Sequence, residues 1–182
     1  MQVQPPNNFW LEKTLDQEMM DYLWSQIDKA NVDYKGKLVG HISKSLQLPD
    51  QSLKLTNHVV EVAKELHNVD YVMDDMWVNF QKKHEFNPVH THTGKLSFVI
   101  WMKIPYIYEA ESQTETAYGV PEGTCAGCFE FLYTDVLGQI TRFTYFPTEC
   151  TLLIFPANLP HLVYPFYTSD RERISISGNL KA

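Results

Sequence analysis

Hydrophobic residues in the first third of the chain recur at helical spacing. A first apolar stripe takes every fourth position and consists of Leu15, Met19, Leu23 and Ile27. Residues at this spacing share one face of a helix, and Thr14 with Gln17 matches a capping box in which Thr14 is the N-cap. A second stripe, at steps of four, three and four, consists of Leu55, Val59, Val62 and Leu66. The pattern therefore predicts two helices, one beginning after Thr14 and one between about residues 50 and 67.

From Met76 onward the pattern changes to an alternation of apolar and polar positions, which is typical of strands. The predicted strands are Met76–Phe80, Leu96–Ile104, Cys128–Tyr133, Arg142–Phe146, Thr151–Phe155, Leu162–Tyr164 and Arg173–Ser177. Short strands separated by turn residues are typical of a sandwich or a barrel. The polar stretch 108–127 has little periodicity and is predicted to be a long loop. With helices packed outside one sheet, the predicted fold class is α+β.

The composition is that of an ordinary globular protein, and it adds size and charge to this picture. A chain of 182 residues predicts a single domain spanning residues 1–182. Its helical part covers residues 1–75, and its strand-rich core covers about 76–180. The net charge of −7 argues against a nucleic-acid-binding protein, because neutralising phosphates requires clustered Lys and Arg.

Apolar segments and cysteines indicate where the protein is located. No run approaches the roughly eighteen apolar residues of a membrane span, so no membrane association is predicted. The first ten residues, MQVQPPNNFW, lack the basic and then apolar pattern of a signal peptide. Three cysteines are too few, and odd in number, for a disulfide framework. A reducing, cytoplasmic location is therefore predicted.

Two histidines precede the long apolar strand that begins at Leu96. His90 and His92 are separated by one residue, so on an extended strand both side chains point to the same face. They follow a turn at Asn87-Pro88 and are expected to continue into that strand. Two imidazoles on one face can bind one metal ion, although imidazole suits iron, zinc, copper and nickel alike.

A third histidine lies where two strands are joined by a tight turn. The apolar run Leu152–Phe155 ends at Pro156, and His161 follows Pro160 directly at the start of the next strand. A residue held by a proline-bounded turn at the end of a strand has little freedom, which suits a fixed ligand. His90, His92 and His161 together form the candidate metal-binding and catalytic group.

The last strand carries a candidate anion site. Ile174 and Ile176 face one side of this strand, whereas Arg173 and Ser175 face the other. Burying an arginine is costly unless it meets an anion. The planar guanidinium matches a carboxylate, and the Ser175 hydroxyl can add a hydrogen bond.

These motifs resemble those of the Fe(II)- and 2-oxoglutarate-dependent oxygenases. The resemblance rests on HTH, LLIFPANLPHLVYP and RERISISGN in this order, and it runs from about Trp77 to Asn179. It is strongest to members with an H-x-H pair and an ending like R-I-S-I-S-x-N. It implies a double-stranded β-helix, or jelly roll, supported by the N-terminal helices. It also implies an enzyme that hydroxylates its substrate while 2-oxoglutarate is converted to succinate and carbon dioxide.

The resemblance assigns roles to the candidate residues. His90, His92 and His161 would bind Fe(II), and Arg173 with Ser175 would bind the far carboxylate of 2-oxoglutarate. Most of the wider superfamily has Asp or Glu where this chain has His92, and three neutral imidazoles leave both positive charges of the ion uncompensated. Two alternatives remain open at this point: His92 is not a ligand, or a carboxylate such as Glu85 joins the metal.

Two other functions fit parts of the same pattern. A cupin-like protein would bind a metal through three histidines without 2-oxoglutarate, although the glutamate expected shortly after H-x-H is missing. A jelly-roll module without metal would have no enzymatic activity. The substrate, a small molecule or a peptide, is not defined by the sequence.

The remaining cysteine and histidine positions are interpreted as structural. The pair Cys125 and Cys128 has no second pair nearby for zinc and is interpreted as a turn. Four further histidines show no ligand spacing: His41, His58, His67 and His84.

Overall fold

The computed structural model describes residues 9–117 and 125–182, and within these ranges strands predominate. The helices are α1 (Gln17–Ile27), α2 (Lys54–His67) and the short α3 (Tyr108–Glu111), with 3-10 turns at Lys35–Lys37 and Glu115–Ala117. The strands are β1 (Leu11–Thr14), β2 (Lys44–Gln47), β3 (Val72–Gln81), β4 (Asn87–His90), β5 (Leu96–Lys103), β6 (Phe129–Thr134), β7 (Ile140–Tyr145), β8 (Thr151–Pro156), β9 (His161–Val163) and β10 (Arg173–Lys181).

These strands form two antiparallel sheets. The larger sheet has the order β1-β8-β5-β10-β3-β2, and the smaller has the order β4-β9-β6-β7. Neighbours in the sheets are often distant in sequence, as in a jelly roll, where the chain crosses repeatedly between two layers. The sheets are not closed into a barrel. The predicted α+β jelly roll with supporting N-terminal helices is confirmed.

One face of the large sheet packs on the helices. Its strands contribute alternate apolar residues to this core, among them Val78, Phe80, Ile100, Ile154 and Ile176. The helices contribute Met19, Leu23, Ile27, Leu55, Val59 and Val62, which belong to the two predicted stripes. The opposite face packs on the small sheet through Val99, Trp101, Phe129, Phe131, Leu153, Phe155 and Leu159. The period-two alternation thus divides the large sheet between two cores.

The N-terminal part differs from the prediction in three respects. Thr14 is not a helix cap, because it lies in β1 and pairs with Thr151 of β8. The cap of α1 is Asp16, whose carboxylate accepts a hydrogen bond from the backbone N–H of Met19 at 2.8 Å. Residues 1–75, predicted as helical, also contain β1, β2 and the start of β3. Both missed strands have only four residues, too few for their alternation to stand out.

The predicted loop 108–127 also contains regular structure. It includes α3 and a 3-10 turn, while residues 118–124 lie outside the described ranges. Glu111 at the end of α3 is fully buried and accepts hydrogen bonds from the backbone N–H groups of Tyr167 and Thr168. This carboxylate ties the segment to the loop before β10. In the described part of the chain, no helix has the length and apolar character needed to cross a membrane.

Candidate metal centre and its cavity

A cavity of about 290 Å³ lies between the two sheets. All five predicted site residues line it: His90, His92, His161, Arg173 and Ser175. The lining also includes cavity-facing residues of β3, namely Asp75, Trp77, Asn79 and Gln81. The residues between them point to the helices or to the surface. The same alternation that builds the apolar core therefore places polar groups in the cavity.

Two of the histidines lie opposite each other in the small sheet. His90 ends β4, His161 begins β9, and the two residues are direct register partners. Their ring centroids are 4.3 Å apart. Because the turn after β8 fixes where β9 starts, strand pairing alone brings the two imidazoles together.

His92 lies outside the small sheet, but its ring lies close to those of His90 and His161. It lies beyond the end of β4, and its backbone N–H donates to the carbonyl of Ala157 at 2.7 Å. The expectation that His90 and His92 share a strand continuing to Leu96 is wrong, because β4 and β5 belong to different sheets. The His92 ring nevertheless lies 5.0 Å from that of His90 and 5.1 Å from that of His161.

The three imidazoles form a group that could hold a metal ion. One nitrogen from each ring lies within 4.8 Å of the others. His90 Nδ1 is 2.7 Å from the carbonyl of Pro88, and His161 Nδ1 is 2.8 Å from that of Leu159. A carbonyl only accepts, so Nδ1 must carry the proton in both rings, which leaves Nε2 with a free lone pair. Backbone contacts of this kind also orient metal-binding imidazoles.

Burial keeps these rings neutral. It lowers the pKa of His161 to about 3, with a further contribution from His90. Burial also lowers the pKa of His92 to about 4, an effect that His90 reinforces and Asp75 opposes, and it lowers the pKa of His90. Since a ligand imidazole must be unprotonated, the site presents a metal with ligands that protons do not occupy at neutral pH.

Arg173 lines the same cavity and is buried, with 3% of its surface exposed. Its Nη1 donates to Tyr106 Oη at 2.8 Å and to the carbonyl of Gly127 at 2.7 Å, and its Nη2 donates to the side-chain oxygen of Gln81. All three partners are neutral. None of the ion pairs within the described ranges involves Arg173. Among the residues that the structure describes, its positive charge is therefore held by neutral dipoles.

The sequence did not reveal these three partners of Arg173. Gln81 is the register partner of Arg173 across β3 and β10, which follows only once the strand order is known. Gly127 lies in the Cys125–Cys128 turn and has a positive φ of 75°. A Cβ atom there would lie 2.4 Å from the ring of Tyr106, so this position requires glycine. The turn interpreted as purely structural thus supplies a carbonyl to Arg173.

Other candidates lie away from the metal-binding group. Glu85 accepts hydrogen bonds from the backbone N–H groups of Ser43 and Lys82, and it does not join the three histidines. His41 stacks on Phe86, and His84 packs against Tyr167. Among the described residues, His90, His92 and His161 are the group of side chains that could hold a metal ion, and His58 is not part of it.

The donor set fits Fe(II). Three imidazoles converge from one side, and imidazole nitrogen is a ligand that iron accepts. The cavity continues past the rings to Arg173 and Ser175, so room remains on the open side for further ligands. A buried arginine in the same cavity, with no carboxylate partner in the described parts of the chain, fits an anionic cosubstrate.

Comparisons with known proteins agree with this geometry. Residues 75–179 match the model of a family described as "Putative 2OG-Fe(II) oxygenase". No curated protein matches the chain in sequence.

Solved structures similar to this chain include a prolyl-4-hydroxylase from Pseudomonas putida. It has 13% identity and a TM-score of 0.58, and the match covers 94% of this chain and 91% of that one. The α-ketoglutarate-dependent epimerase SnoN from nogalamycin biosynthesis has 12% identity and a TM-score of 0.66, with 96% and 78% covered. HygX from Streptomyces hygroscopicus, with nickel, 2-oxoglutarate and hygromycin B bound, has 10% identity and a TM-score of 0.58, with 93% and 82% covered.

At such identities the solved structures show a shared fold. The family model goes further, because it matches more than half of the chain and ends at Asn179, so that it includes all five predicted site residues. The chain therefore belongs to the family of 2OG-Fe(II) oxygenases.

Proposed function

We propose that this protein is a hydroxylase in which His90, His92 and His161 bind Fe(II) and Arg173 with Ser175 binds the far carboxylate of 2-oxoglutarate. The observation that carries the proposal is the combination in one cavity of a neutral three-histidine group and a buried arginine that has no acidic partner among the described residues. A cation held only by neutral dipoles in a low-dielectric site is a strong attractor for a carboxylate.

The chain's own residues would hold and orient both groups. The carbonyls of Pro88 and Leu159 fix the His90 and His161 rings with Nε2 toward the centre. Gln81, Tyr106 and Gly127 hold the guanidinium of Arg173, so that little freedom is lost when an anion binds. Bound Fe(II) with 2-oxoglutarate and oxygen supplies the oxidation of a C–H bond, with succinate and carbon dioxide as the other products.

Two similar structures contain molecules that support the substrate class proposed for this chain. One similar structure, a prolyl hydroxylase from Trichoplax adhaerens, contains a peptide fragment, and HygX contains hygromycin B. We propose a small molecule or a peptide for this chain, bound at the mouth of the cavity. We also propose a cytoplasmic location, which is supported by the three free thiols of Cys125, Cys128 and Cys150.

The test is binding and turnover by protein purified without a histidine tag. We expect stoichiometric Fe(II), binding of 2-oxoglutarate that requires a divalent metal, and slow formation of succinate even without the substrate. Arg173→Ala should abolish 2-oxoglutarate binding while metal binding persists. If Arg173→Ala leaves 2-oxoglutarate binding unchanged, the result favours the cupin-like alternative. If the wild-type protein binds no metal, the result favours the non-catalytic alternative.

A further inference from the structure

A divalent ion bound by the three histidines would carry uncompensated positive charge, and the cavity lining contains a carboxylate that can compensate part of it. Three neutral imidazoles would leave both charges of a divalent ion uncompensated in a site where His161 is buried and the other two histidines are half-buried. The other ionic side chains in the cavity lining include Lys35, Lys37 and Arg173, all of which are positive. Asp75 is the one carboxylate among the described residues of this lining.

Asp75 is held on the cavity face of β3. Its neighbour Asp74 points to the opposite side and pairs with Lys181 at the surface. The Asp75 carboxylate accepts a hydrogen bond from the hydroxyl of Tyr34 on one oxygen and from Asn179 Nδ2, at 2.8 Å, on the other. Asn179 in turn accepts from Ser97 Oγ at 2.8 Å. Both donors are neutral, so they orient the charge of Asp75 without cancelling it.

The same network contacts the metal-binding group through His92. The Tyr34 ring stacks on Trp77 at 5.5 Å, and the Trp77 ring lies 5.9 Å from that of His92. A fixed carboxylate therefore lines the same cavity as the three histidines, and the Trp77 ring lies between its partner Tyr34 and His92.

We propose that Asp75 is a positioning residue that supplies the compensating negative charge for the metal centre from outside the set of direct ligands. This inference rests on the proposed function, because it assumes a divalent ion at His90, His92 and His161. The three histidines bind the ion, and Asp75 lowers the electrostatic cost of placing its charge in the cavity. Tyr34 and Asn179 keep the carboxylate at the right place.

The experiment compares Asp75→Asn with Asp74→Asn. Both changes remove one carboxylate from adjacent positions of β3, but only the first removes it from the cavity. We expect Asp75→Asn to weaken Co(II) and Fe(II) binding about tenfold or more, the range seen for residues that support metal ligands. Asp74→Asn should leave metal affinity unchanged within a factor of about two. Tyr34→Phe, which keeps the charge but removes one contact that holds it, should have an intermediate effect.

A second measurement separates charge from mere structural support. A negative charge stabilises Fe(III) more than Fe(II), so Asp75→Asn should raise the Fe(III)/Fe(II) midpoint potential, whereas Asp74→Asn should not. Thermal unfolding of the metal-free variants reports whether they fold, and Asp75→Glu, which restores the charge, should recover most of the metal affinity. Wild-type affinity and potential in Asp75→Asn would overturn the inference. Failure of the wild-type protein to bind any divalent ion would instead overturn the proposed function.

Discussion

The two faces of the large sheet use the same strands for different purposes. On the helix side, β10 contributes Ile174 and Ile176 to a core that is apolar throughout. On the cavity side the same strand contributes Arg173 and Ser175 to a lining with many polar groups. β3 divides in the same way, with Val78 and Phe80 on one face and cavity-lining polar residues on the other.

The difference shows how stability and chemistry are separated in this fold. Burial of apolar side chains is the main stabilising contribution to folding, and here most of it is on the helix side. Buried polar groups stabilise little and are costly when left unpaired. Polar groups on the cavity side contribute little to stability. The strands that carry them are stabilised by the apolar side chains packed on their opposite face. Changes on the two faces should be separable by experiment.

The largest effect is expected for the metal-binding end of the cavity side. His161→Ala removes a buried proposed ligand at the start of β9, and we expect metal affinity to fall by a factor of about a thousand or more and succinate formation to be lost. The unfolding midpoint of the metal-free protein should also fall, since the buried ring packs on Phe129 and Phe155, but the variant should still fold. Isothermal titration with Co(II) and a thermal melt in a chelator measure the two quantities. Loss of folding in the metal-free variant would contradict the separation of the two faces.

The next largest effect is expected on the opposite face of β10. Ile176 is fully buried against the helices, and Ile176→Ala should lower the free energy of unfolding by about 2–5 kcal/mol. Because the side chain points away from the cavity, the Kd of 2-oxoglutarate should stay within about twofold at temperatures where the variant is folded. Urea unfolding and ligand titration test the pair of results. A large change in 2-oxoglutarate affinity with little change in the free energy of unfolding would contradict the assignment of stability to the helix-side face.

The periodicity of apolar residues predicted the helix-side face of the large sheet, but it predicted only part of the cavity side. The apolar stripes of α1 and α2 and the alternation in β10 reflect burial, which is strong and local in sequence, so the helices and the division of Arg173 from Ile174 were predicted. The three histidines were found because their residue type and turn context are distinctive. The path of the backbone from His90 to Leu96 was not predicted, since the crossing from one sheet to the other leaves no periodic signal.

The partners of the site residues depend on strand order, which a single sequence does not contain. Gln81 meets Arg173 because β3 lies beside β10, and Asp75 meets Asn179 for the same reason. β1 and β2 were missed because each is a four-residue edge strand whose pairing is determined by its neighbour. Local pattern thus predicts which face a residue occupies, whereas the contacts across strands require the topology.

A smaller effect is expected from pH, and it should arise on the cavity side alone. The pKa values of His92 and His161 lie near 4 and 3 in the folded chain, below the ordinary value of 6.5. The unfolded chain therefore takes up protons first, so stability is retained above pH 6.5 and is lost as pH falls toward the folded values. For the two histidines, the free energy of unfolding of metal-free protein should fall by about 2 kcal/mol between pH 6.5 and 5.5.

Chemical unfolding in a chelator at several pH values measures this dependence. His161→Gln should remove about half of the loss, whereas Ile176→Val, on the helix side, should lower the whole curve without changing its slope. An identical slope in the wild type and His161→Gln would show that other groups cause the pH dependence.

The smallest effect is expected at Ser175, the cavity-side neighbour of Ile176. Ser175→Ala removes one hydroxyl proposed to bind the far carboxylate of 2-oxoglutarate, and one such hydrogen bond contributes about 0.5–1.5 kcal/mol. The Kd of 2-oxoglutarate should therefore rise by roughly two- to twelvefold, while metal affinity and the free energy of unfolding stay near wild type. Ser177→Ala, two residues further along the same face, is the matched control and should leave the Kd unchanged. Equal effects of both changes would mean that the cavity face of β10 responds to lost polarity in general and that Ser175 has no specific contact with the cosubstrate.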